Sequence, residues 1–432
     1  MNKSILKLAI PNIISNITIP LLGLVDMILM GHLGSAVYIG AIALGGTIFS
    51  VLYSFFSFLR AGTTGFTAQS LGKGNNIEII YSLYRSVIIG IPIFTLILVF
   101  QVPIAKLSTL LLDGSEEVKA LAIQYFYIRI WAAPANILLY CLNGWFVGMQ
   151  NTKIPMFIAI LINICNIIFS IVFVLILEQN VKGVALGTVI SQYCGLSLAL
   201  ILLVKKYKGY FIRIERNILF DFDKIRRFFK VNSDLMIRSF LLIISIAFFT
   251  NQSAKLGDNI LAINMIVLQS FYIFSYFTDG FAYAGEALVG KFIGSKDKES
   301  LKKVIKSLLI WGFSISIPFT ILYALFPSTF VRLISDNPEI LNEVKPYYIY
   351  MIIIPIITFA AFIWDGIYIG ATASKAIRNT MIISTLFVFI PSWYFLTPHF
   401  ENHGLWCAFL CFMIARGISM SIMAKKNIIQ NI

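Results

Sequence analysis

Long apolar runs separated by short polar breaks fill almost the whole chain. A helix that crosses the roughly 30 Å hydrocarbon core of a bilayer needs about 20 predominantly apolar residues. About twelve segments, called spans here, meet this requirement, at residues 8–31, 37–60, 80–103, 124–148, 156–178, 183–204, 232–255, 259–290, 302–325, 346–370, 377–396 and 404–424. Because the runs are too long and too uniformly apolar for barrel strands, the pattern predicts an all-α integral membrane protein.

Composition supports this interpretation. Of the 432 residues, 59% are hydrophobic and only 12% are charged, whereas a soluble domain carries about 25% charged residues. Lys3 and Lys7 precede the first apolar run in the manner of a signal peptide. That run contains Asp26, lacks a small-residue cleavage site and is too long for a signal sequence, so we expect it to be retained as span 1.

The basic residues lie mainly in alternate loops. Of the 34 lysines and arginines, 24 fall on the side of the N-terminus, six fall on the opposite side and four lie within the spans. This asymmetry predicts a multi-pass protein of a bacterial inner membrane with both termini in the cytoplasm. The net charge of +14 therefore indicates contact with anionic membrane lipids and no nucleic-acid partner.

An internal repeat organises the chain. A shift of about 222 residues places Gly144–Gly148 on Gly366–Gly370, and Gln69–Lys73 on Lys291–Ser295. Because each half contains six spans, an even number, the halves start on the same membrane face and are related by an axis along the membrane normal.

The repeat predicts two pseudo-symmetric six-helix lobes around a central cavity. The N-lobe comprises residues 1–204, a basic cytoplasmic linker comprises 205–231, and the C-lobe comprises 232–432. Two such lobes can rock about the cavity and give alternating access. The alternative is a gene duplication that packs two lobes together without transport.

Asp26 is an isolated carboxylate late in span 1, with no basic residue near it in the sequence. A charge inside the bilayer costs at least about 2.5 kcal/mol, so it must face a cavity, pair or titrate. Asp26 is therefore a candidate proton or sodium site; the alternative is a structural, hydrogen-bonded Asp. Pro11 and Pro20 permit a bend in the same span, which is either static or responsive to Asp26.

Further charges lie in spans 7, 8 and 10. Asp279 and Glu286 are seven residues apart, so they share one face of span 8, two turns apart. Asp365 of span 10 is a candidate third member of this acidic cluster, with Arg238 of span 7 as its counter-ion. The alternative is a fixed ion-pair cluster that holds the C-lobe together.

A motif of small and hydroxyl-bearing residues begins at the last residue of span 2 and continues beyond it. Arg60 begins this stretch, Thr63 and Thr64 follow, and Gln69 lies near its end. The small residues permit close helix contact, and the hydroxyls are suited to line a wet cavity. For Arg60 itself we favour a role that anchors the span to a neighbouring carboxylate.

Three stretches resemble the multidrug and toxic compound extrusion (MATE) family, specifically its DinF-type branch. They are Leu24-Val25-Asp26 with Gly31-His32-Leu33-Gly34; Phe58-Leu59-Arg60 with Thr63-Thr64-Gly65 and Ala68-Gln69; and Asp279-Gly280-Phe281-Ala282-Tyr283-Ala284 with Glu286-Ala287. The resemblance covers essentially the whole chain. It implies a twelve-helix, two-lobe antiporter that exports organic cations or other amphiphiles against an inward flow of protons or Na+.

The resemblance also implies a cation site in the N-lobe. Asp26, Asn166 and Thr188 match three of its four positions, but the expected second Asp falls on Ser170. With one carboxylate fewer, Na+ affinity should weaken or proton use should prevail. Asp365 resembles a C-lobe carboxylate implicated in cation coupling, so the coupling site could instead be there.

Other function classes receive less support. A lipid-linked glycan flippase would share the fold, but it would show more unbalanced basic residues for a pyrophosphate. The sequence contains no HExxH, GxSxG or P-loop pattern, so we expect neither an enzyme nor a pump driven directly by ATP. All five cysteines lie in spans and the histidines lack metal-ligand spacing. We therefore expect no disulfide framework, no cofactor, no metal other than a coupling Na+, and a monomer that exports small amphiphilic or cationic substrates.

Overall fold

A computed structural model describes residues 1–31, 36–111, 114–211 and 215–430, and all regular secondary structure in these ranges is helical. His32, Leu33 and Gly34 of the first family-like motif lie outside the described residues. The helices of the first half are α1 (Asn2–Gly31), α2 (Ala36–Phe56), α3 (Phe58–Gly72), α4 (Asn76–Val99), α5 (Gln101–Leu111), α6 (Glu116–Arg129), α7 (Ala133–Gly148), α8 (Lys153–Ile171), α9 (Asn180–Tyr207) and α10 (Arg216–Leu219). Those of the second half are α11 (Phe222–Lys255), α12 (Asp258–Gly294), α13 (Lys298–Leu325), α14 (Pro327–Arg332), α15 (Pro338–Glu343), α16 (Tyr348–Gly370), α17 (Ser374–Ile383) and α18 (Ile390–Ala424).

Eleven helical stretches within the described ranges are long and apolar enough to cross a membrane. The last one, Ser374–Ile429, has 56 residues, which at 1.5 Å per residue corresponds to about 80 Å, far more than one crossing needs. Glu401 interrupts it with a non-helical φ of 48° and ψ of −125°. Predicted spans 11 and 12 lie on either side of Glu401, so the all-α, twelve-span fold class is confirmed.

The observed helices extend beyond several predicted spans. Span 4 was predicted from residue 124, whereas its stretch begins at Glu116, where Ser115 caps α6 by accepting a hydrogen bond from the Val118 amide. Span 7 was predicted from residue 232, whereas α11 begins at Phe222, within the basic linker. The added turns are polar, so hydrophobicity alone does not mark them.

The chain forms two compact units. One unit, here the N-terminal unit, contains Ile14–Phe228, and the other, the C-terminal unit, contains Met1–Ile13 together with Phe229–Ile432. In the N-terminal unit α3 packs on α7 and α8 packs on α9, and in the C-terminal unit α12 packs on α16.

The internal repeat is visible in the backbone. Left-handed φ values recur 222 or 223 residues apart, at Gly74 (66°) and Lys296 (57°), Gln150 (60°) and Thr372 (52°), and Glu178 (53°) and Glu401 (48°). The helix caps repeat as well, since Asn75 accepts a hydrogen bond from the Glu78 amide and Asp297 accepts one from the Ser300 amide. The two halves therefore share the same connections between helices.

Glycines set the closest helix contacts in both units. A Cβ on Gly144 of α7 would collide with the carbonyl oxygen of Arg60 in α3. At the equivalent place, a Cβ on Gly366 of α16 would collide with the carbonyl oxygen of Ala282 in α12. Residues 60 and 282 are themselves 222 apart, so the repeated Gly-x-x-x-Gly stretches mark equivalent helix contacts.

Candidate functional site

Asp26 lies in α1 within the N-terminal unit and is 2% exposed. Among the described residues it forms no ion pair, and its Oδ1 atom makes no hydrogen bond. A buried carboxylate without a paired cation is costly in an apolar medium. Asp26 is therefore placed to exchange one partner for another.

Arg129 attracts Asp26 electrostatically, but the Arg129 side chain is bound to other groups. Its Nη1 atom donates a 2.5 Å hydrogen bond to the hydroxyl of Tyr125, and its guanidinium lies 4.8 Å from the ring centroid of Phe49. Arg129 and Asp26 interact through space without direct contact. The arginine thus contributes a positive field at the carboxylate and leaves its oxygens accessible to another ligand.

Three polar side chains from α8 and α9 complete the site. Ser170 lies close enough to Asp26 to interact with its carboxylate, although the Ser170 hydroxyl makes no hydrogen bond. Asn166, one turn earlier on α8, donates a 3.0 Å hydrogen bond from Nδ2 to Oγ1 of Thr188. The Oδ1 atom of Asn166 has no hydrogen-bond partner. Three buried oxygens, one each from Asp26, Asn166 and Ser170, are therefore open to a proton, water or cation.

Helix contact fixes the position of Ser170. A Cβ on Gly187 of α9 would lie 2.7 Å from Oγ and 2.9 Å from the backbone nitrogen of Ser170. Only glycine at 187 lets α9 approach α8 this closely. The approach brings Thr188, the next residue, into hydrogen-bonding distance of Asn166.

A cavity of about 480 Å³ lies in the N-terminal unit between residues of α6 and the start of α9. Gln124, Glu178 and Lys182 line it, and Ile128 and Leu186 form part of its wall. Ile128 directly precedes Arg129, and Leu186 is two residues before Thr188. The cavity therefore neighbours the Asp26 site along α6 and α9, but Asp26, Asn166, Ser170 and Thr188 are not among its lining residues.

The C-terminal unit holds its buried carboxylate differently. Oδ2 of Asp365 in α16 accepts a 2.7 Å hydrogen bond from Nη2 of Arg416 in α18, and the same oxygen pairs with Nη2 of Arg238 in α11. Arg416 is 1% exposed. Asp279 lies close enough to influence Arg416 electrostatically, so two arginines and two carboxylates form one charged cluster.

The other predicted site residues are distributed over both units. Glu286 of α12 is buried. A Cβ added to Gly370 of α16 would lie 2.5 Å from the backbone carbonyl oxygen of Glu286.

The predicted residues of the span 2 motif lie in α3. Thr63 and Thr64 are fully buried. The Thr63 hydroxyl forms a hydrogen bond with the Ser86 hydroxyl of α4, and the Thr64 hydroxyl donates to the carbonyl of Arg60. Gln69 lies near the end of α3 and is buried. Pro11 lies within α1, which runs as one helix from Asn2 to Gly31.

Sequence reasoning did not identify two features of the charged groups. The pairing of Arg416 with Asp365 is not among the expectations drawn from the sequence. Arg129 was likewise not linked to Asp26. These partners are 51 and 103 residues apart in the chain, and no local spacing reveals contacts between distant helices.

The duplicated plan, twelve apolar spans and buried charges define a polytopic helical membrane protein of two repeated units. The fold agrees with a crystal structure of the Vibrio cholerae MATE transporter VcmN in its bent form, with a TM-score of 0.86, 15% identity, and coverage of 99% of this chain and 96% of that one.

The chain belongs to the MatE family, whose model matches residues 11–172 and 235–394. Members of this family are transporters rather than enzymes. The chain is 33% identical to the DNA damage-inducible protein F of Escherichia coli over 427 residues, which cover 99% of this chain and 92% of that protein. It is 22% identical to a probable multidrug resistance protein NorM of Thermotoga maritima over 80% of this chain and 75% of that protein. These comparisons support a multidrug or toxin efflux transporter of a bacterial inner membrane.

Proposed function

We propose that this transporter exports organic cations or other amphiphiles in exchange for protons, and that Asp26 is the coupling carboxylate. The observation that supports this most strongly is the state of Asp26: it is 2% exposed, forms no ion pair among the described residues and has an open Oδ1. Such a carboxylate binds a proton when the site faces the more acidic side of the membrane. When the site faces the other side, the carboxylate must release the proton or bind a cation.

The donor set supports protons over Na+ as the coupling ion. A Na+ ion prefers several oxygen ligands with enough negative charge to replace its hydration shell, as hard cations do generally. Around Asp26 the open oxygens are one carboxylate, one amide and one hydroxyl, from Asp26, Asn166 and Ser170. Thr188 contributes little more, because its Oγ1 already donates to the carbonyl of Val184 and accepts from Asn166.

In this mechanism the proton acts by removing the charge of Asp26. The deprotonated carboxylate is stabilised by the field of Arg129 and by a cationic substrate. Protonation removes that attraction, weakens substrate binding and changes the bend of α1 near Pro11. The cavity lined by Ile128 and Leu186, which neighbour Arg129 and Thr188 in the sequence, is the route that we propose for the proton.

Transport in proteoliposomes under separately imposed proton and Na+ gradients tests the proposal. We expect efflux driven by the pH gradient and little response to Na+. If one proton exchanges for one monovalent cation, no net charge moves, and a membrane potential, worth about 2.3 kcal/mol per charge per 100 mV, adds nothing. Voltage-dependent currents during turnover would contradict the single-carboxylate scheme.

Ser170→Asp sharpens the choice of ion. The substitution places a second carboxylate one turn from Asn166 and beside Asp26, and we expect the variant to acquire Na+-stimulated efflux. Ser170→Asn is the matched control, because it adds a side chain of the same size without charge. If Na+ stimulated the unmodified protein as much as Ser170→Asp, then one carboxylate and two neutral oxygens would suffice to bind Na+, and the preference for protons would be wrong.

Lipid-linked glycan flipping is the alternative function. A flippase needs unbalanced cations to hold a pyrophosphate. In the C-terminal unit Arg238 and Arg416 share the Asp365 carboxylate, and in the N-terminal unit Arg129 is engaged by aromatic rings. These arginines within the membrane-spanning helices therefore favour the antiporter.

A further inference from the structure

A second polar cavity, of about 200 Å³, lies in the N-terminal unit where α3, α4 and the start of α11 meet. Four cationic side chains line it, and Glu78 is the single carboxylate among its lining residues. The cations are Lys73, Arg85, Lys224 and Arg227. This cavity is separate from the Asp26 site and plays no part in the proposed coupling.

The cations at this cavity are held by the fold. Arg85 is 4% exposed; one of its terminal nitrogens pairs with Glu78, and the other donates a 2.9 Å hydrogen bond to the carbonyl oxygen of Ile218 in the linker helix α10. Lys224 contacts the second oxygen of Glu78 at 3.0 Å. Both oxygens of the one carboxylate are therefore occupied, and Lys224 also lies 3.9 Å from Asp221. Lys73 and Arg227 make no ion pair among the described residues, so two positive charges remain uncompensated.

Arg85 also has an unused donor. Its Nε atom is buried and has no hydrogen-bond partner among the described residues. A buried N–H without an acceptor is destabilising, and it is rare in folded proteins unless a ligand or water accepts from it. An anionic oxygen in the cavity would satisfy this donor and the excess positive charge together.

The aromatic residues in the cavity wall indicate which chemical group is attached to the anion. Phe66 and Phe228 stack with ring centroids 4.8 Å apart, and the guanidinium of Arg227 lies 5.7 Å from the Phe66 ring centroid. At about 30 Å³ per water molecule, the cavity has room for several waters. This is enough for a phosphate group with a short carbon attachment.

We propose that this cavity binds a phosphate group, with Arg85, Lys73, Lys224 and Arg227 as its ligands. Arginine and lysine are the usual partners of phosphate oxygens. The group could belong to the headgroup of an anionic lipid or to a soluble phosphate. In either case it joins the start of α11 to α3 and α4, because residues of all three helices line the cavity.

Binding to the purified full-length chain tests the site and separates the two sources. Native mass spectrometry in detergent would measure affinity for phosphatidic acid, phosphatidylglycerol and phosphatidylcholine, and thermal stabilisation would measure the response to inorganic phosphate. Tight binding of the two anionic lipids without a response to inorganic phosphate identifies a lipid headgroup. Stabilisation by millimolar inorganic phosphate, with no preference among the lipids, identifies a soluble ligand.

Paired double variants test the location. Lys73→Gln with Arg227→Gln removes two exposed cations of the cavity, and we expect affinity to fall at least about tenfold, since basic residues near an anionic headgroup attract it electrostatically. The control, Arg226→Gln with Lys230→Gln, removes the same amount of charge from α11 outside the cavity and should change affinity much less. Equal losses in both proteins would overturn the proposal, as would binding of none of the probes.

Arg85→Lys tests the unused donor. The variant keeps the positive charge but lacks Nε, so we expect a several-fold loss of phosphate affinity while Lys73 and Arg227 remain in place. Affinity unchanged in Arg85→Lys would remove Arg85 from the site and overturn the assignment. If this variant does not fold, the comparison of the two double variants decides whether the cavity binds phosphate.

Discussion

Asp26 and Asp365 are both carboxylates buried within apolar helices, one in each unit, and they differ in their counter-ions. Asp26 makes no ion pair among the described residues and has an open oxygen. Asp365 presents Oδ2 to two arginines, Arg238 and Arg416, while its Oδ1, like that of Asp26, makes no hydrogen bond. Burial is nearly the same, at 2% and 6% exposure, so burial alone does not distinguish a coupling group from a structural one.

The contrast shows how a duplicated fold can divide its tasks. The two units share left-handed turns, helix caps and glycine contacts at equivalent positions. They do not share charged side chains: Arg60 is equivalent to Ala282, and Thr64 is equivalent to Glu286 by the same shift of 222 residues. The backbone plan is common, and the chemistry differs between the units. We infer that the N-terminal unit exchanges ions and that the C-terminal charges stabilise their unit.

Asp26→Asn should have the largest effect on transport. The variant keeps the size and polarity of the side chain but removes its charge, so we expect efflux to fall to the level of empty liposomes. Because Asp26 forms no ion pair that the substitution would break, thermal unfolding of the purified protein should change little. Full efflux in Asp26→Asn would exclude this residue from coupling and would make Asp365 the leading candidate.

Asp365→Asn should have its largest effect on stability. The substitution leaves Arg238 and Arg416 without their shared carboxylate, and breaking a buried pair in this way costs about 3–5 kcal/mol. Denaturation in detergent would measure the loss. Replacing Asp365, Arg238 and Arg416 together by leucine or methionine, with Asp279→Asn in the same protein, should restore much of it, since the whole cluster is then uncharged. A stable Asp365→Asn protein that has lost proton-driven efflux would reverse the assignment of the two units.

The sequence predicts the fold well because the membrane imposes one simple requirement. Each crossing needs a long apolar helix, so spans can be counted directly, and the repeat supplies an independent check. Helix ends are less predictable: α11 begins at Phe222 and α6 at Glu116, in polar turns that hydrophobicity does not mark. The division at Glu401 falls between two predicted spans, where a break in apolarity was visible.

The candidate site is only partly predictable. Asp26 stands out because an isolated charge in an apolar run is conspicuous. The pairing of Arg416 with Asp365 depends on which helices pack together, which no local pattern records. Neutral polar residues are missed for another reason. Asn264 carries no charge and attracts no attention, yet it is fully buried and central to a hydrogen-bond network.

Asn264 and Asn166 extend the comparison to uncharged groups. Asn264 Nδ2 donates to Ser253 and Asn402, each at 2.7 Å, and its Oδ1 accepts from Trp406 at 2.7 Å. Asn166 makes one side-chain bond, to Thr188, and its Oδ1 is open.

Asn264→Ala should therefore destabilise the protein by about 3 kcal/mol, because several buried partners lose their bonds, and Asn166→Ala by only about 1 kcal/mol. Thermal unfolding of the two variants measures the difference, and efflux should be more sensitive to Asn166→Ala. Equal destabilisation would show that the open oxygen of Asn166 is satisfied in solution, for example by bound water.

The glycine contacts test whether the two units are equivalent in packing although they differ in charge. Gly144→Ala and Gly366→Ala each place a methyl group against a backbone carbonyl of the facing helix. Overpacking of this kind typically costs about 2 kcal/mol, and because the contacts are equivalent, the two losses should be similar. Gly46→Ala is the control: nothing lies within 4 Å of its added Cβ, so it should stabilise α2 by up to about 1 kcal/mol.

A loss of stability at only one of Gly144 and Gly366 would show that the units tolerate helix displacement differently. The N-terminal unit would be expected to give way more readily, because an ion-exchanging site must move between two arrangements whereas a cluster pinned by two arginines need not.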